Sequence, residues 1–201
     1  MNSGKPDLRE KWRRSLRAEA VAIAGGDASR RIAARLGASG RFREAARVGL
    51  FHPFPWEPDL LELWRGRPDA CAFPHVRPHE TAMEYYRVRS PDDFEPGPFG
   101  LLHPKPDPRM RVIGWGPDDL VLVPGRFFDR KGGRIGSGSG YYDRFLAALP
   151  SWRLGVCFET QVASTELAQE PTDARMDALC TEGGLAPCAS GRRGLKGESG
   201  W

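Results

Sequence analysis

The stretch DLVLVPGRFFDRKGGRIGSGSGYYDRFLAALP, residues 119–150, contains the features that decide the fold. It begins with a short, continuous apolar run, residues 120–123, which is typical of a central strand covered on both faces. It ends with residues 141–150, whose apolar side chains are spaced i, i+3, i+4 and i+7 and therefore predict an amphipathic helix. A glycine- and serine-rich loop joins the two. The stretch predicts a strand–loop–helix unit rather than a linker between domains.

The segments on either side continue this alternation of strands and helices. Asp7 and Glu10 resemble a capping box at the start of a helix that runs to Gly25, and Asp27 is placed to cap a second helix. A third, short helix is predicted at residues 59–67, and strands are predicted at residues 48–54, 70–76, 83–88 and 153–159. The pattern predicts an α/β domain with a largely parallel sheet.

Two segments interrupt this pattern. Residues 90–110 contain many prolines, which argue against regular structure, so we expect an ordered crossing loop there. From residue 187 to the end, the residues are small, polar and basic, which predicts a disordered tail after a domain that covers residues 1–186.

Composition excludes several classes of protein. The chain has 201 residues, of which 40% are hydrophobic and 28% charged, as in ordinary globular proteins. No run approaches the roughly 18 apolar residues of a membrane span. The first residues, MNSGKPDLREKWRRSLR, are charged and lack the apolar core of a secretory signal. We expect a cytoplasmic protein without a membrane partner.

The cysteines and histidines predict neither disulfides nor a metal site. The four cysteines show no C-x-x-C spacing, and two of them lie inside apolar runs, so we expect buried free thiols. The four histidines are scattered along the chain and form no metal-binding motif.

A net charge of +4 and a pI near 9.0 are compatible with two kinds of partner, small polyanions and nucleic acid. No RNA-binding motif and no alternation of aromatic and basic residues is present, so nucleic acid is the weaker hypothesis.

The glycine-rich loop has the composition of an anion-binding loop. Alternating glycines, Gly136, Gly138 and Gly140, allow the backbone to approach phosphate oxygens closely, and a helix N-terminus favours negative charge. Arg134 adds a positive charge, and Asp143 could hold Mg²⁺ beside the phosphates. The loop matches neither the Walker A motif nor the dinucleotide fingerprint. Composition alone leaves a second interpretation open, a mobile loop whose Asp143 only caps a helix.

The residues from Pro124 to Asp143, PGRFFDRKGGRIGSGSGYYD, resemble the motif P-G-x-x-F-D-x-x-G-x-R-[LI]-G-x-G-x-G-Y-Y-D of the 5-formyltetrahydrofolate cyclo-ligase family. Further segments resemble the family in the same order. RRSLR at 13–17 is similar to its K-x-x-L-R, FGLLHP at 99–104 to G-I-x-E-P, GVCFETQ at 155–161 to a strand that ends in F-x-x-Q, and PTDARMDALCTE at 171–182 to H-D-x-x-M-D-x-x-x-T-E.

The resemblance implies a three-layer α/β/α fold and a reaction. ATP and Mg²⁺ would serve the conversion of 5-formyltetrahydrofolate to 5,10-methenyltetrahydrofolate, with release of ADP and phosphate. The formyl oxygen would be phosphorylated first, because an amide oxygen is a poor leaving group and a phosphate is a good one. Positioning and charge neutralisation would then account for most of the rate. The partners would be small molecules, and we expect a monomer.

The resemblance also implies roles for particular residues. Arg134 and Asp143 would be catalytic. The nucleotide would be bound by Arg13, Arg17, Arg134, Ile135, Gly136, Ser137, Gly138, Ser139, Gly140, Tyr141 and Tyr142. The folate would contact His52, Glu57, Phe99 and the loop residues 137–141, with Glu57 on the pterin N–H groups. Asp143 and Asp173 would hold magnesium.

Several residues depart from the family pattern. Arg13 stands where lysine is usual, His103 replaces the glutamate of the E-P pair, and Thr172 replaces the histidine before Asp173. Ser137 and Ser139 occupy positions where the family often has larger side chains or glycine. These departures leave open an alternative, a divergent relative that binds ATP or folate but has a changed substrate or no activity.

Overall fold

The computed structural model describes residues 4–24, 26–77, 80–147 and 149–189. Within these ranges the helices are α1 Lys5–Lys11, α2 Arg17–Ala24, α3 Ala28–Ala38, α4 Gly40–Glu44, α5 Leu61–Gly66 and α6 Tyr141–Ala147. A π-helical segment, Trp12–Leu16, connects α1 to α2, so the chain is helical from Lys5 to Ala24. No helix in the described ranges has both the length and the apolar character that a membrane span requires.

Eight strands form the main sheet, in the order β13-β12-β10-β7-β1-β2-β3-β6. Their bounds are β1 Val48–Gly49, β2 Cys71–Val76, β3 Met83–Arg87, β6 Arg111–Val112, β7 Leu120–Val123, β10 Trp152–Val156, β12 Ala178–Cys180 and β13 Leu185–Pro187. The five strands from β12 to β2 are parallel, and the strands at the two edges are antiparallel. The prediction of an α/β domain with a mostly parallel sheet is confirmed.

The remaining strands form two small sheets. β8 (Phe127–Asp129) and β9 (Arg134–Ile135) make a hairpin, which β11 (Val162–Ala163) joins in parallel. β4 (Phe94–Pro96) and β5 (Leu102–Pro104) form a second hairpin inside the proline-rich segment. Both hairpins lie in segments for which the sequence predicts loops.

Side chains alternate between the two faces of the main sheet and produce two cores. Leu120 and Leu122 of the fully buried β7 pack in the core that contains Ile32 and Leu36 of α3. Val121 and Val123 pack in the opposite core, which contains Leu146 of α6. This period of two is what a strand covered on both faces requires. Helices α2 to α5 therefore lie on one face of the sheet and α6 on the other, in three layers.

Other sequence predictions differ from the structure in detail. The first helix begins at Lys5 with Gly4 as its N-cap and has no side-chain cap, so the predicted capping box is wrong. Asp27 is the N-cap residue of α3, but its carboxylate accepts from Arg30 rather than from a backbone N–H. The strand predicted at residues 48–54 is short, because Pro53 and Pro55 follow and cannot donate to a ladder.

The C-terminal boundary also differs from the prediction. Residue 187 ends β13, and the Cys188 and Ala189 N–H groups donate to the carbonyls of Asp177 and Arg130. Residues 187–189 thus belong to the fold, and the rest of the predicted tail, 190–201, lies outside the described residues. The four cysteines are free and buried, as predicted.

Candidate active site

A cavity of about 1230 Å³ lies where the strand order of the main sheet reverses. The chain proceeds from β1 outward through β2 and β3, and from β7 outward in the other direction through β10 and β12. The segments that follow β1 and β7 contribute residues to the cavity lining, among them His52, Glu57 and Arg126. The carboxyl ends of parallel strands at such a switch point are where open α/β sheets bind their ligands.

The glycine-rich loop forms one wall of this cavity. It leaves β9 at Ile135 and enters α6 at Tyr141, and residues 134–143 all line the cavity. Gly138 and Gly140 have φ of 109° and 68°, values that side chains with a Cβ rarely adopt. The structure therefore brings together at one wall all the loop residues for which the sequence predicted nucleotide binding.

Arg134 is buried at the base of the loop and donates to two acceptors. One guanidinium nitrogen (Nη2) donates to Asp143 Oδ1 at 2.9 Å, and Nη1 donates to the Pro124 carbonyl at 3.3 Å. Its side chain is only 5% exposed, and its guanidinium lies 5.5 Å from the centroid of the Tyr142 ring. Arg134 thus supplies a fixed positive charge to the cavity, paired with the carboxylate predicted to hold a metal.

The two predicted metal-binding carboxylates lie next to each other. Asp143 Oδ1 also accepts from the Ala174 N–H at 3.3 Å, which places it beside the residue that follows Asp173. Asp173 accepts from the Glu170 N–H at 2.6 Å and forms an ion pair with Lys5, which also pairs with Glu170 at 3.2 Å. Each of the two aspartates is therefore paired with one cation.

This arrangement fits Mg²⁺ bound together with phosphates. No group of three or more histidine, cysteine, aspartate or glutamate side chains in the described ranges is arranged to hold a metal ion. Mg²⁺, however, is usually held by one or two carboxylates together with waters and substrate phosphates rather than by a cage of protein ligands. Asp143 and Asp173 both line the cavity and would supply the two carboxylates.

The N-terminal helix contributes two cations that the sequence analysis missed. Lys5 and Arg9 line the cavity, and Arg9 Nε donates to the Gly136 carbonyl at 3.3 Å. The signal was present in the sequence, because KPDLR, residues 5–9, fits the K-x-x-L-R pattern with lysine at its first position. RRSLR, the copy to which the prediction from sequence refers, fits the same pattern eight residues later, with arginine in that position.

The structure does not bring Arg17 to the cavity. It lies eight residues beyond Arg9, about two turns further along the helix. Its guanidinium carbon lies 3.9 Å from the centroid of the Trp56 ring, and Arg17 is not among the residues that line the cavity. The side chain of Arg13 lies outside the described part of the chain.

Another part of the cavity lining is aromatic and contains the residues predicted to contact folate. Phe54 and Trp56 stack face to face, with ring centroids 4.7 Å apart and an interplanar angle of 5°. Residues 54–57 form a turn that Glu57 closes. The Glu57 N–H donates to the Phe54 carbonyl at 2.9 Å, and the Glu57 carboxylate accepts from the Phe54 N–H at 3.0 Å. His52 and Phe99 also line the cavity.

Glu57 has an unusual protonation equilibrium. Burial in the cavity wall raises the pKa of its carboxyl from 4.5 to about 7, against the opposing effects of the Phe54 N–H and the charge of Arg126. The group is therefore partly protonated near neutral pH, and it can donate as well as accept hydrogen bonds.

Replacing Glu57 with glutamine should flatten the pH dependence of stability. Between pH 4.5 and 7 the folded protein holds the Glu57 proton and the unfolded chain releases it, so the free energy of unfolding falls as pH rises. From pH 5 to pH 8 this fall amounts to about 2 to 3 kcal/mol, and Glu57→Gln removes it. Urea unfolding at the two pH values measures the difference, with the exposed Glu44→Gln as control. An equal pH dependence in wild type and Glu57→Gln would contradict the expectation.

Phe99 lies at the tip of the β4–β5 hairpin in a strained conformation. Its φ of 65° is the only positive value found at a non-glycine residue in the described ranges, and its side chain is 64% exposed. His103, in β5 of the same hairpin, is buried and lines the cavity. Burial and the neighbouring His75 and His52 lower the pKa of His103, which keeps its imidazole neutral near pH 7.

Comparisons with known proteins agree with this geometry. A family model described as the 5-formyltetrahydrofolate cyclo-ligase family matches residues 2–182. A probable 5-formyltetrahydrofolate cyclo-ligase of Schizosaccharomyces pombe is 30% identical over 112 residues, which are 49% of this chain and 55% of that protein. The enzyme of that name from Mycolicibacterium smegmatis is 36% identical over 85 residues, 41% of this chain and 43% of the relative. The aligned parts span about half the length of these curated relatives.

Solved structures extend the likeness to nearly the whole chain. The NMR structure of 5,10-methenyltetrahydrofolate synthetase from Aquifex aeolicus has a TM-score of 0.76 and 28% sequence identity, and the alignment covers 97% of both chains. A 5,10-methenyltetrahydrofolate synthetase from Mycoplasma pneumoniae, with a TM-score of 0.65 and 17% identity over 90% of this chain, supports the fold alone. The sequence motif, the fold and the match to residues 2–182 lead to one conclusion: the chain belongs to the 5-formyltetrahydrofolate cyclo-ligase family.

Proposed function

We propose that this protein converts 5-formyltetrahydrofolate and ATP into 5,10-methenyltetrahydrofolate, ADP and phosphate. One observation supports the proposal above the others: a single cavity is lined both by glycines and cations and by a group of aromatic side chains. The first group, called the nucleotide end below, suits a nucleoside triphosphate, and the second, called the folate end, suits the flat pterin ring of a reduced folate. The two substrates would meet near residues 137–141.

At the nucleotide end, we assign the phosphates to the loop residues 134–142 together with Lys5 and Arg9. The loop offers backbone N–H groups and serine hydroxyls, and Arg9 and Arg134 offer guanidinium groups that suit phosphate oxygens. Arg17 is left out of this set because its guanidinium is stacked on Trp56. A role for Arg13 in nucleotide binding stays a prediction.

Asp143 and Asp173 would hold Mg²⁺ through their carboxylates. When bound, the ion would neutralise phosphate charge during transfer of the γ-phosphoryl group. Arg134 and Lys5 pair with these carboxylates, and this supports assigning both cations to the same phosphates. Arg134 would then stabilise the charge that develops on the transferred group.

The reaction would proceed in two steps. The formyl oxygen attacks the γ-phosphate, and ADP leaves, which gives a phosphorylated formyl group. N10 then attacks the activated carbon, the phosphate departs with the formyl oxygen, and N10 loses its proton. The protein would act mainly by holding the formyl oxygen in line with the γ-phosphate and by excluding water.

At the folate end, we assign Glu57 to the pterin N–H groups and Phe99 to the face of the ring. His52 lines the same end and would contact the folate as well. The stacked Phe54 and Trp56 provide an apolar wall behind Glu57. A cytoplasmic location and a monomeric state stay predictions, and one relative, from Arabidopsis thaliana, is named as a mitochondrial enzyme.

The proposal is tested by mixing the purified protein with 5-formyltetrahydrofolate and MgATP and following the absorbance of the methenyl product. We expect product formation that requires both ATP and Mg²⁺. In the same assay, Arg9→Gln should raise the KM for ATP about tenfold, the loss expected for one charged contact to phosphate. Arg14→Gln, an exposed arginine paired with Glu10 on the same helix, serves as the matched control. No product at high protein concentration would overturn the proposed reaction.

A second candidate function is supported by one observation, the buried His103. A neutral imidazole lines the cavity where the family pattern has a carboxylate, so the folate end has lost a negative charge. This change favours a member of the family with an altered substrate. Calorimetric binding of a nonhydrolysable ATP analogue without turnover of 5-formyltetrahydrofolate would favour this candidate, and turnover would exclude it.

A further inference from the structure

We propose that Arg17 is a positioning residue that fixes the turn bearing Glu57. Residues 54–57 form this turn, which is called the Glu57 turn below. The effect of Arg17 on the turn follows from contacts within the protein, while its effect on folate binding rests on the proposed function.

Trp56 contacts both Arg17 and Phe54. The guanidinium carbon of Arg17 lies 3.9 Å from the centroid of the Trp56 ring, and the Trp56 ring stacks on Phe54. A guanidinium at this distance from an indole face makes a favourable cation–π contact, and its planar shape allows it to stack. Trp56 is thus held by two contacts, one with Arg17 of α2 and one with Phe54.

These contacts act on the Glu57 carboxylate through the backbone of the turn. Phe54 and Glu57 are joined by two hydrogen bonds, one from the Glu57 N–H and one to the Glu57 carboxylate. Any movement of the Phe54–Trp56 pair therefore displaces the acceptor that faces the cavity. Arg17 acts on the site through Trp56 and contributes no atom to the cavity lining.

The same helical segment also contacts the glycine-rich loop. Arg9 donates to the Gly136 carbonyl, and Arg17 lies two turns further along the continuous helix between Lys5 and Ala24. One helix therefore links the loop at the nucleotide end to the turn at the folate end. We infer that Arg17 transmits the position of this helix to Glu57.

Amide hydrogen exchange measures the proposed effect without any ligand. In Arg17→Gln, the amides of Phe54 and Glu57 should exchange about 2- to 5-fold faster than in wild type, which is the loss expected for one exposed cation–π contact. Arg17→Lys, which keeps the charge but loses the planar group, should give an intermediate value. Arg14→Gln is the matched control and should leave both amides unchanged. Unchanged exchange in Arg17→Gln, or equal acceleration throughout the protein, would overturn the proposal.

Steady-state kinetics test the consequence for the folate site. Arg17→Gln should raise the KM for 5-formyltetrahydrofolate about 2- to 5-fold, with kcat and the KM for ATP within twofold of wild type. If the KM for ATP rises instead, Arg17 belongs to the nucleotide site and the proposal is wrong. A wild-type protein without turnover would count against the proposed function, while the exchange experiment would still decide the role of Arg17.

Discussion

Asp143→Asn is expected to lower turnover by about 100-fold or more while the protein keeps its fold. Asparagine has nearly the same shape as aspartate, and its amide oxygen can still accept from Arg134 and from the Ala174 N–H. The negative charge is lost, however, and with it the proposed ligand for Mg²⁺. A metal ion contributes several kcal/mol to stabilising the charge of a transferred phosphoryl group, which corresponds to at least two orders of magnitude in rate.

The measurement should separate catalysis from stability and from binding. Asp143→Asn leaves a cation without a full counter-charge, so we expect a loss of about 1 to 3 kcal/mol in the free energy of unfolding, too little to unfold the domain. Calorimetry should show that Mg²⁺ strengthens the binding of an ATP analogue in wild type and much less in Asp143→Asn. Asp92→Asn, an exposed aspartate outside the cavity, is the matched control. Turnover within tenfold of wild type, with an unchanged Mg²⁺ dependence, would exclude Asp143 as a metal ligand.

Gly132→Ala is expected to destabilise the protein by about 3 kcal/mol or more. Gly132 has a φ of 92°, which strains any residue with a Cβ. A Cβ at this position would also overlap the Met176 carbonyl oxygen. The backbone cannot move away, because Gly132 donates to Asp129 at 3.0 Å and accepts from the Met176 N–H at 2.8 Å. Steric overlap and strain therefore add to each other.

Urea unfolding of Gly132→Ala and Gly184→Ala provides the test. Gly184 lies in the turn between β12 and β13, and a Cβ there meets nothing within 4 Å. The control should therefore change the free energy of unfolding by less than about 1 kcal/mol. If Gly132→Ala costs no more than Gly184→Ala, the contact between the β8–β9 hairpin and Met176 is looser than the structure indicates.

The central part of the sheet could be predicted from sequence because its signals are local. The run at residues 120–123 is apolar at every position, and the side chains of α6 repeat with the helical period, so both elements follow from neighbouring residues. The β8–β9 hairpin could not be predicted in the same way. Each of its strands has only two or three residues, and glycines and charged residues surround them.

The candidate site was predictable where one motif contains it and less so where distant segments meet. Residues 134–143 are contiguous, and all of them line the cavity. The pair of Lys5 and Asp173 joins residues 168 positions apart, and no local pattern indicates such a contact. The choice between the two K-x-x-L-R copies depends on which turn of the helix faces the loop, and this is determined by packing rather than by spacing.

The position of Lys5 has a practical consequence for the preparation of the protein. It opens α1 and pairs with Asp173 beside the glycine-rich loop. A histidine-rich affinity tag placed directly ahead of α1 would therefore lie close to the cavity, where it competes for divalent ions and can obstruct the entrance. Recombinant protein for the assays above should carry its tag at the C-terminus or have an N-terminal tag removed by proteolysis.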